Sequence, residues 1–391
     1  MPLARRVQNL NPSSTLQITA LAKKLSQEGL DIVSFGAGEP DFDTPDFIKD
    51  AAINAIQKGF TKYTPSSGIP ELKKAIQEKF KRENSLDYSI EQIVVSCGAK
   101  HCLFNIALAL IEPDDEVIIP APYWVSYPEM VNAAQGAAKI VQTKAENGFK
   151  LTPQELEKNI SKKTKLFILN SPSNPTGIVY DKKELEQIAD ICVGNNIYVI
   201  SDEIYEKLIY SGLAHISIAS LNEKIFKLTF TVNGVSKSYS MTGWRIGYFA
   251  GPLDIVGGIK NLQDHSTSNP CSVSQKAAFS ALTAGDAWTK KMCQEFEKRR
   301  DYLLKRIDNI SFLKYIKPQG AFYLFCDISK TGLTAADFAM RLLKEAHVAV
   351  IPGEGFGAPG FVRLSFAANI ETIGKGIDRL EKWLKQLPKK S

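Results

Sequence analysis

"KLFILNSPSNPTG", residues 165–177, opens with apolar side chains on nearly successive positions and closes on prolines, asparagines and a glycine. A strand with one wet face alternates apolar and polar residues, whereas a continuous apolar run is buried on both faces, as in parallel sheets. The same pattern recurs in "QIVVS" (92–96), "EVIIP" (116–120), "IYVIS" (197–201) and "KLTFTV" (227–232), with helix-length stretches between the runs. An α/β domain over residues 46–285, built on a mostly parallel sheet with helices on both faces, is therefore expected.

Open sheets of this kind bind ligands beyond the carboxyl ends of their strands. Directly after the predicted strands stand "CGAKH", "APYW", "SPSNPTG", "DEIY" and "NGVSK". Glycines, amides, an acid, aromatic rings and a lysine thus collect on one rim. From Asp286 onward the pattern changes to a long charged helix, "TKKMCQEFEKRRDYLLKRI", then "GAFYLFCDI", a helix near "ADFAMRLLKEAH", the strand-like "VAVIPGE" and "FVRLSFA", and a closing helix. Residues 286–391, completed by an N-terminal arm of residues 1–45, are expected to form a smaller α+β domain.

Composition bounds the function. The 391 residues are 44% hydrophobic and 23% charged, with 48 Lys+Arg against 42 Asp+Glu, a formal +6. The basic residues are dispersed beside acidic neighbours, which reads as solvated helix faces and not as a nucleic-acid stripe. Six scattered cysteines without a CxxC pair read as reduced thiols, and no metal site is expected. No stretch approaches the roughly 18 apolar residues of a membrane span, and the N-terminal segment lacks the apolar run of a signal peptide, so a cytoplasmic location is expected.

At the rim, Gly98 permits a tight turn and a helix begins near Ala99, so the free N–H groups of Ala99 and Lys100 can meet a phosphate. Arg245 offers a bidentate handle for the same oxyanion. Asp202 suits the cationic nitrogen of a heterocycle, Tyr205 a phenolate-type oxygen, and Trp124 a flat ring. Asn174 is presented by the rigid "NSPSNPTG" turn. Taken singly, each has a plainer reading: a strand-to-helix turn, a helix cap, a packing tryptophan, a rigid loop. Lys237, set among small residues after a buried run and near Arg245, loses solvation and can be neutral near pH 7, which suits an imine link to an aldehyde. Together these features describe pyridoxal 5′-phosphate as cofactor.

"SNPTG", "SDEIY" and "SK" followed by "MTGWRIGY", with "FGAGEPDFDTP", "KYTPSSGIPELK", "PYWVSYPEM" and "FVRLSFA", resemble the fold-type I, class I pyridoxal-phosphate aminotransferases over nearly the whole chain. The nearest likeness is to the bacterial aspartate aminotransferases, a subgroup in which some members use prephenate. The resemblance implies a seven-stranded large-domain sheet and a homodimer with shared active sites, Tyr63 reaching in from the partner. It implies that Lys237 links the cofactor and shuttles the Cα proton, and that Asp202 holds the pyridinium. Asn174 and Tyr205 bond the ring oxygen, Trp124 stacks on the ring, and Arg245 with the Ala99 and Lys100 backbone binds phosphate. Arg363, aided by Asn174 and the Gly38 backbone, clamps the α-carboxylate. Thr15 and Lys100 are candidates for a distal carboxylate.

The implied reaction is ping-pong transamination, with L-aspartate and 2-oxoglutarate first and prephenate, aromatic substrates or kynurenine as the alternative. Lyases and pyridoxal-dependent regulators belong to the same wider group. One departure stands out: many relatives have serine three positions before the lysine, where this chain has Gly234.

Overall fold

The computed structural model describes residues 3–11 and 14–387, with the side chains of Arg5 and residues 14–17 left aside. Near the N-terminus the helix Ser14–Gln27 leads to a two-residue strand, β1 (Val33–Ser34). The chain then builds a seven-stranded sheet from β2 (Ile93–Ser96), β3 (Glu116–Ala121), β4 (Ala137–Gln142), β5 (Thr164–Asn170), β6 (Tyr198–Asp202), β7 (Thr229–Gly234) and β8 (Gly247–Ala250). Their spatial order is β2-β8-β7-β6-β5-β3-β4.

Neighbouring pairs are parallel except those that involve β8, which runs antiparallel to both β2 and β7. All strands but β8 therefore end on the same rim. The runs read as doubly buried are so: β2 and β7 are buried at every position, and Val199–Asp202 of β6 likewise. Two strands lie outside the apolar runs of the sequence. β4 sits at the sheet edge and keeps mixed exposure, and β8 spans four residues that begin inside the "MTGWRIGY" motif. The β6 strand also runs one residue beyond its predicted end and includes Asp202.

Helix ends between the strands carry their own stop and start signals. Thr152 and Glu155 form a capping box before Pro153–Asn159, and Asp181 with Glu184 does the same before Lys182–Gly194. Gly98, at φ 93°, turns the chain from β2 into the helix Ala99–Leu110. A Cβ on Gly247 would meet the Ala99 nitrogen at 2.1 Å, so a glycine in β8 lets the N-terminus of that helix lie against the sheet.

After the long helix Asp286–Ile307, the strands β9 (Lys314–Tyr315), β10 (Tyr323–Asp327), β12 (Ile351–Pro352) and β13 (Phe361–Ser365) form an antiparallel sheet in the order β12-β13-β10-β9. The remaining strand, β11 (Val348–Ala349), pairs in parallel with β1 and ties the N-terminal segment to this part of the chain. The helix Ile370–Gln386 packs its apolar stripe, including Ile373, Ile377, Leu380 and Leu384, into the same core.

Side chains of the helix Pro70–Asn84 meet the segment just after β6 in a buried polar network. Lys79 is ion-paired with Glu206 and donates to Asn84 Oδ1 at 2.7 Å; Asn84 Nδ2 donates to Glu206 Oε2 at 2.7 Å. Glu203 accepts from Ser201 and Ser217 and meets His215 Nε2 at 2.8 Å. Each charge is met by a partner, as burial requires.

Candidate active site

The loops at the shared strand ends and the segment after β1 enclose a cavity of about 480 Å³. It is lined by four cationic side chains, Lys100, Lys237, Arg245 and Arg363, against two carboxylates, Glu39 and Asp202. That balance favours anionic ligands.

Lys237 stands three residues past β7, half-buried, and its Nζ donates to the Gly38 carbonyl at 2.6 Å. Loss of hydration is the main cause that brings its amine down to about 8; Arg245 and Arg363 push the same way, and Glu39 and Asp202 oppose. Asp202 is buried at the end of β6. Its Oδ2 accepts from the Tyr127 hydroxyl at 2.7 Å and its Oδ1 from the Ile204 N–H at 3.2 Å. Burial raises this carboxyl to about 6, with the Tyr127 and Ile204 bonds pulling the other way.

Asn170 closes β5 and bonds in two directions: its Nδ2 donates to the Asp202 carbonyl and its Oδ1 accepts from the Asn174 N–H. Asn174 in turn accepts from Arg363 Nη1 at 2.9 Å, while Nη2 donates to the Gly36 carbonyl at 3.1 Å. The Arg363 guanidinium is buried and lies 4.3 Å from the Tyr323 ring centroid, and its Nε has no hydrogen-bond partner. No carboxylate is paired with it among the described residues. Burial lowers its proton affinity. A buried guanidinium without a counter-ion is a site waiting for one.

On the opposite wall, Arg245 lies beside Gly98 and the start of the helix Ala99–Leu110. A Cβ at Gly98 would stand 2.5 Å from Arg245 Nη2, so the bare backbone leaves room for the guanidinium there. Arg245 Nη1 donates to the Thr242 carbonyl at 2.8 Å, and the Thr242 hydroxyl donates to Glu39 Oε2 at 2.6 Å. The Lys100 ammonium lies 4.9 Å from the Trp124 ring centroid, and Trp124 meets Tyr127 edge-on.

Ala99, Lys100, Trp124, Asn174, Asp202, Tyr205, Lys237, Arg245, Gly38 and Arg363, all singled out from the sequence, line this one cavity. Tyr63 does not: its side chain is 91% exposed on the loop before Pro70–Asn84. Thr15 belongs to the helix Ser14–Gln27, but its side chain lies outside the described residues; Thr19, one turn on, lines the cavity. Ser236 also lines it, although Gly234 stands in the strand itself. The sequence reading passed over Tyr127, Tyr323, Asn170 and Glu39. All four lay within quoted stretches, and the proximity of Tyr127 and Asn170 to Asp202 is set by folding, not by spacing.

The sequence matches the family described as aminotransferase class I and II over residues 31–380. A relative from Bacillus sp. (strain YM-2) named aspartate aminotransferase is 50% identical, the match covering 98% of this chain and 99% of the relative. One from Aquifex aeolicus, named as a probable aspartate/prephenate aminotransferase, is 46% identical over 98% and 99% of the two chains. Among solved structures, the aspartate aminotransferase from Thermus thermophilus with maleate superposes with a TM-score of 0.94 at 43% identity, covering 98% of this chain and 99% of that one. That from Rhizobium meliloti gives 0.96 at 39% identity, covering 99% and 100%. Matched along its length in sequence and fold, with an anion-gathering cavity built around a lysine, the chain belongs to the class I and II aminotransferases and is a transaminase of fold-type I.

Proposed function

We propose that the cavity holds pyridoxal 5′-phosphate and that the enzyme exchanges amino groups between L-aspartate and 2-oxoglutarate, giving oxaloacetate and L-glutamate by a ping-pong route. The observation that carries this reading is the placement of Lys237, with its amine brought down to about 8, in one cavity with buried Asp202 and with Arg363, which meets no carboxylate among the described residues. The donor set fits the cofactor. The Ala99 and Lys100 N–H groups and Arg245 can hold its phosphate beside the bare Gly98 backbone, and buried Asp202 calls for a cationic partner such as a ring nitrogen. When bound, the cofactor supplies an aldehyde for amines and a protonated ring that takes up the electron pair released at the substrate Cα.

Lys237 would hold the cofactor through its aldehyde and, once the substrate amine takes its place with Nζ set free, would carry the Cα proton across the imine nitrogen to the former aldehyde carbon. Asp202 keeps the ring nitrogen protonated throughout. Asn174 and Tyr205 would hydrogen-bond the ring oxygen, and Trp124 would cover the ring face. Arg363 takes the α-carboxylate with Asn174 and the Gly38 backbone, which also fixes the Cα–H bond relative to Lys237. Lys100 and Thr15 meet the distal carboxylate.

A homodimer with shared sites completes the reading, Tyr63 being exposed and available to a second copy. Residues 46–285 form the large domain, and residues 1–45 with 286–391 the arm and small domain. No helix among the described residues is long and apolar enough to cross a membrane, and the cytoplasm is the proposed location.

Values of kcat/KM for aspartate, prephenate, alanine, phenylalanine and kynurenine on one preparation test the assignment. Aspartate with 2-oxoglutarate should lead. Prephenate is the second reading, favoured by the name of the Aquifex aeolicus relative. Pyruvate and ammonia released from a cysteine conjugate without an oxo-acid acceptor would show lyase chemistry instead.

A further inference from the structure

We infer that Tyr127 is a positioning residue for Asp202: by donating its hydroxyl to Oδ2 at 2.7 Å it keeps that carboxylate ionised and aimed into the cavity. The inference rests on the cofactor reading above, in which Asp202 must stay an anion to hold the ring nitrogen protonated.

Three observations carry it. Tyr127 is buried, so its hydroxyl has no water to turn to, and the carboxylate is its partner. The bond spans two elements: Tyr127 sits in the first turn of the helix Ser126–Ala133, where its N–H donates to the Trp124 carbonyl at 3.0 Å, and Asp202 ends β6. Finally, Tyr127 touches Trp124 ring edge to face, at 5.4 Å between centroids, so one turn sets the wall beside the ring face and the acid at the ring nitrogen together.

The electrostatic setting makes the bond matter. Burial works against the Asp202 anion, and adjacent Glu203 repels it, although the Glu203 carboxylate is turned toward Ser201, Ser217 and His215. Lys237, from the segment after β7, favours the anion. The Cys102 thiol, on the helix Ala99–Leu110, and the Tyr205 phenol both feel the Asp202 charge. Lys100, Arg245, Arg363 and Glu39 complete the charges of the cavity. Of these groups, Tyr127 and the Ile204 N–H donate hydrogen bonds to the carboxylate oxygens. A hydrogen bond to the charged form selects that form.

Tyr127→Phe removes the donor and keeps the ring, so the contact with Trp124 and the fold persist. The test is equilibrium binding of pyridoxal 5′-phosphate to native, Y127F, D202N and Y127F/D202N proteins at pH 8 and pH 6. If the lost bond lets the Asp202 proton affinity rise by about one pH unit, Y127F should lose about fivefold more affinity than the native protein between pH 8 and pH 6. Titrations of the cofactor itself are common to both proteins and cancel. In the D202N background, removal of the hydroxyl should change the pH dependence by less than about twofold.

An equal loss at both pH values marks Tyr127 as merely structural and overturns the inference, as does a pH dependence that superimposes on the native one. A persistent Tyr127 effect in D202N overturns it too. If the native protein shows no saturable binding at pH 8, the cofactor reading itself falls and takes this inference with it.

Discussion

Lys237 should react with a small aldehyde at neutral pH far faster than the exposed lysines of the cofactor-free protein; Lys73, which burial also brings down to about 8, is the one to resolve from it by peptide. Its amine is brought from the ordinary 10.5 to about 8, chiefly by loss of hydration. At pH 7 that raises the neutral fraction by about 300-fold over an ordinary lysine. A weaker base is also an intrinsically slower nucleophile, and with the dependence found for thiols the net advantage is about 20-fold. The bond from Nζ to the Gly38 carbonyl leaves the nitrogen free to attack once it is deprotonated.

Low-conversion labelling with formaldehyde and cyanoborohydride, read by peptide mass spectrometry against the exposed Lys58 and Lys224, measures the ratio directly. At pH 7 Lys237 should lead, and near pH 10 the lead should shrink as ordinary lysines also become neutral. Equal labelling at pH 7, or a ratio indifferent to pH, would refute the reasoning. Lys237→Ala should lose nearly all turnover.

Two further outcomes follow from buried charges. Arg363→Lys should lower kcat/KM for aspartate by about 100-fold, because one ammonium cannot serve Asn174, the Gly36 carbonyl and an incoming carboxylate together; steady-state kinetics with unchanged cofactor binding would check it. Glu206→Gln should cost about 3 kcal/mol in urea unfolding at pH 7, because buried Lys79 is left with only Glu83, 3.6 Å away, as its counter-charge. For Glu206 burial alone would raise the carboxyl, but Lys79, His215 and Asn84 overcome that and bring it to about 2, below its ordinary 4.5. Its contribution is therefore fully present above about pH 4.5 and is lost as pH falls toward 2. The native protein should lose stability more steeply than the variant across that window; parallel curves would contradict the assignment.

Much of the site was legible because its parts sit at strand ends, and strand ends are marked where an apolar run stops. Lys237, Asp202 and Asn174 were found that way. Strand β8 was not, since four residues between glycine-rich turns carry too little pattern, and its reversed direction follows from pairing with both β2 and β7. The edge strand β4 was obscured by its partial exposure. Tyr127 was passed over for another reason: its partner lies 75 residues away, and nothing local distinguishes a phenol that bonds a carboxylate from one that packs. Tyr63 and Thr15 came from the resemblance alone; the Tyr63 side chain does not line the cavity of this single chain, and that of Thr15 lies outside the described residues.

The reversal of β8 has a consequence for how the enzyme can be rebuilt. Because β7 and β8 are adjacent and antiparallel, the connection 235–246 leaves the sheet and returns to it at the same rim, with Lys237 near one end and Arg245 near the other. The amine and the guanidinium proposed to anchor the phosphate are thus carried on a single cassette stapled at both ends. New chain termini or an inserted peptide within it should disable both functions at one stroke, whereas a cut at the turn 112–115, before β3, should spare them. A transplant of the centre into another sheet would have to move this cassette whole.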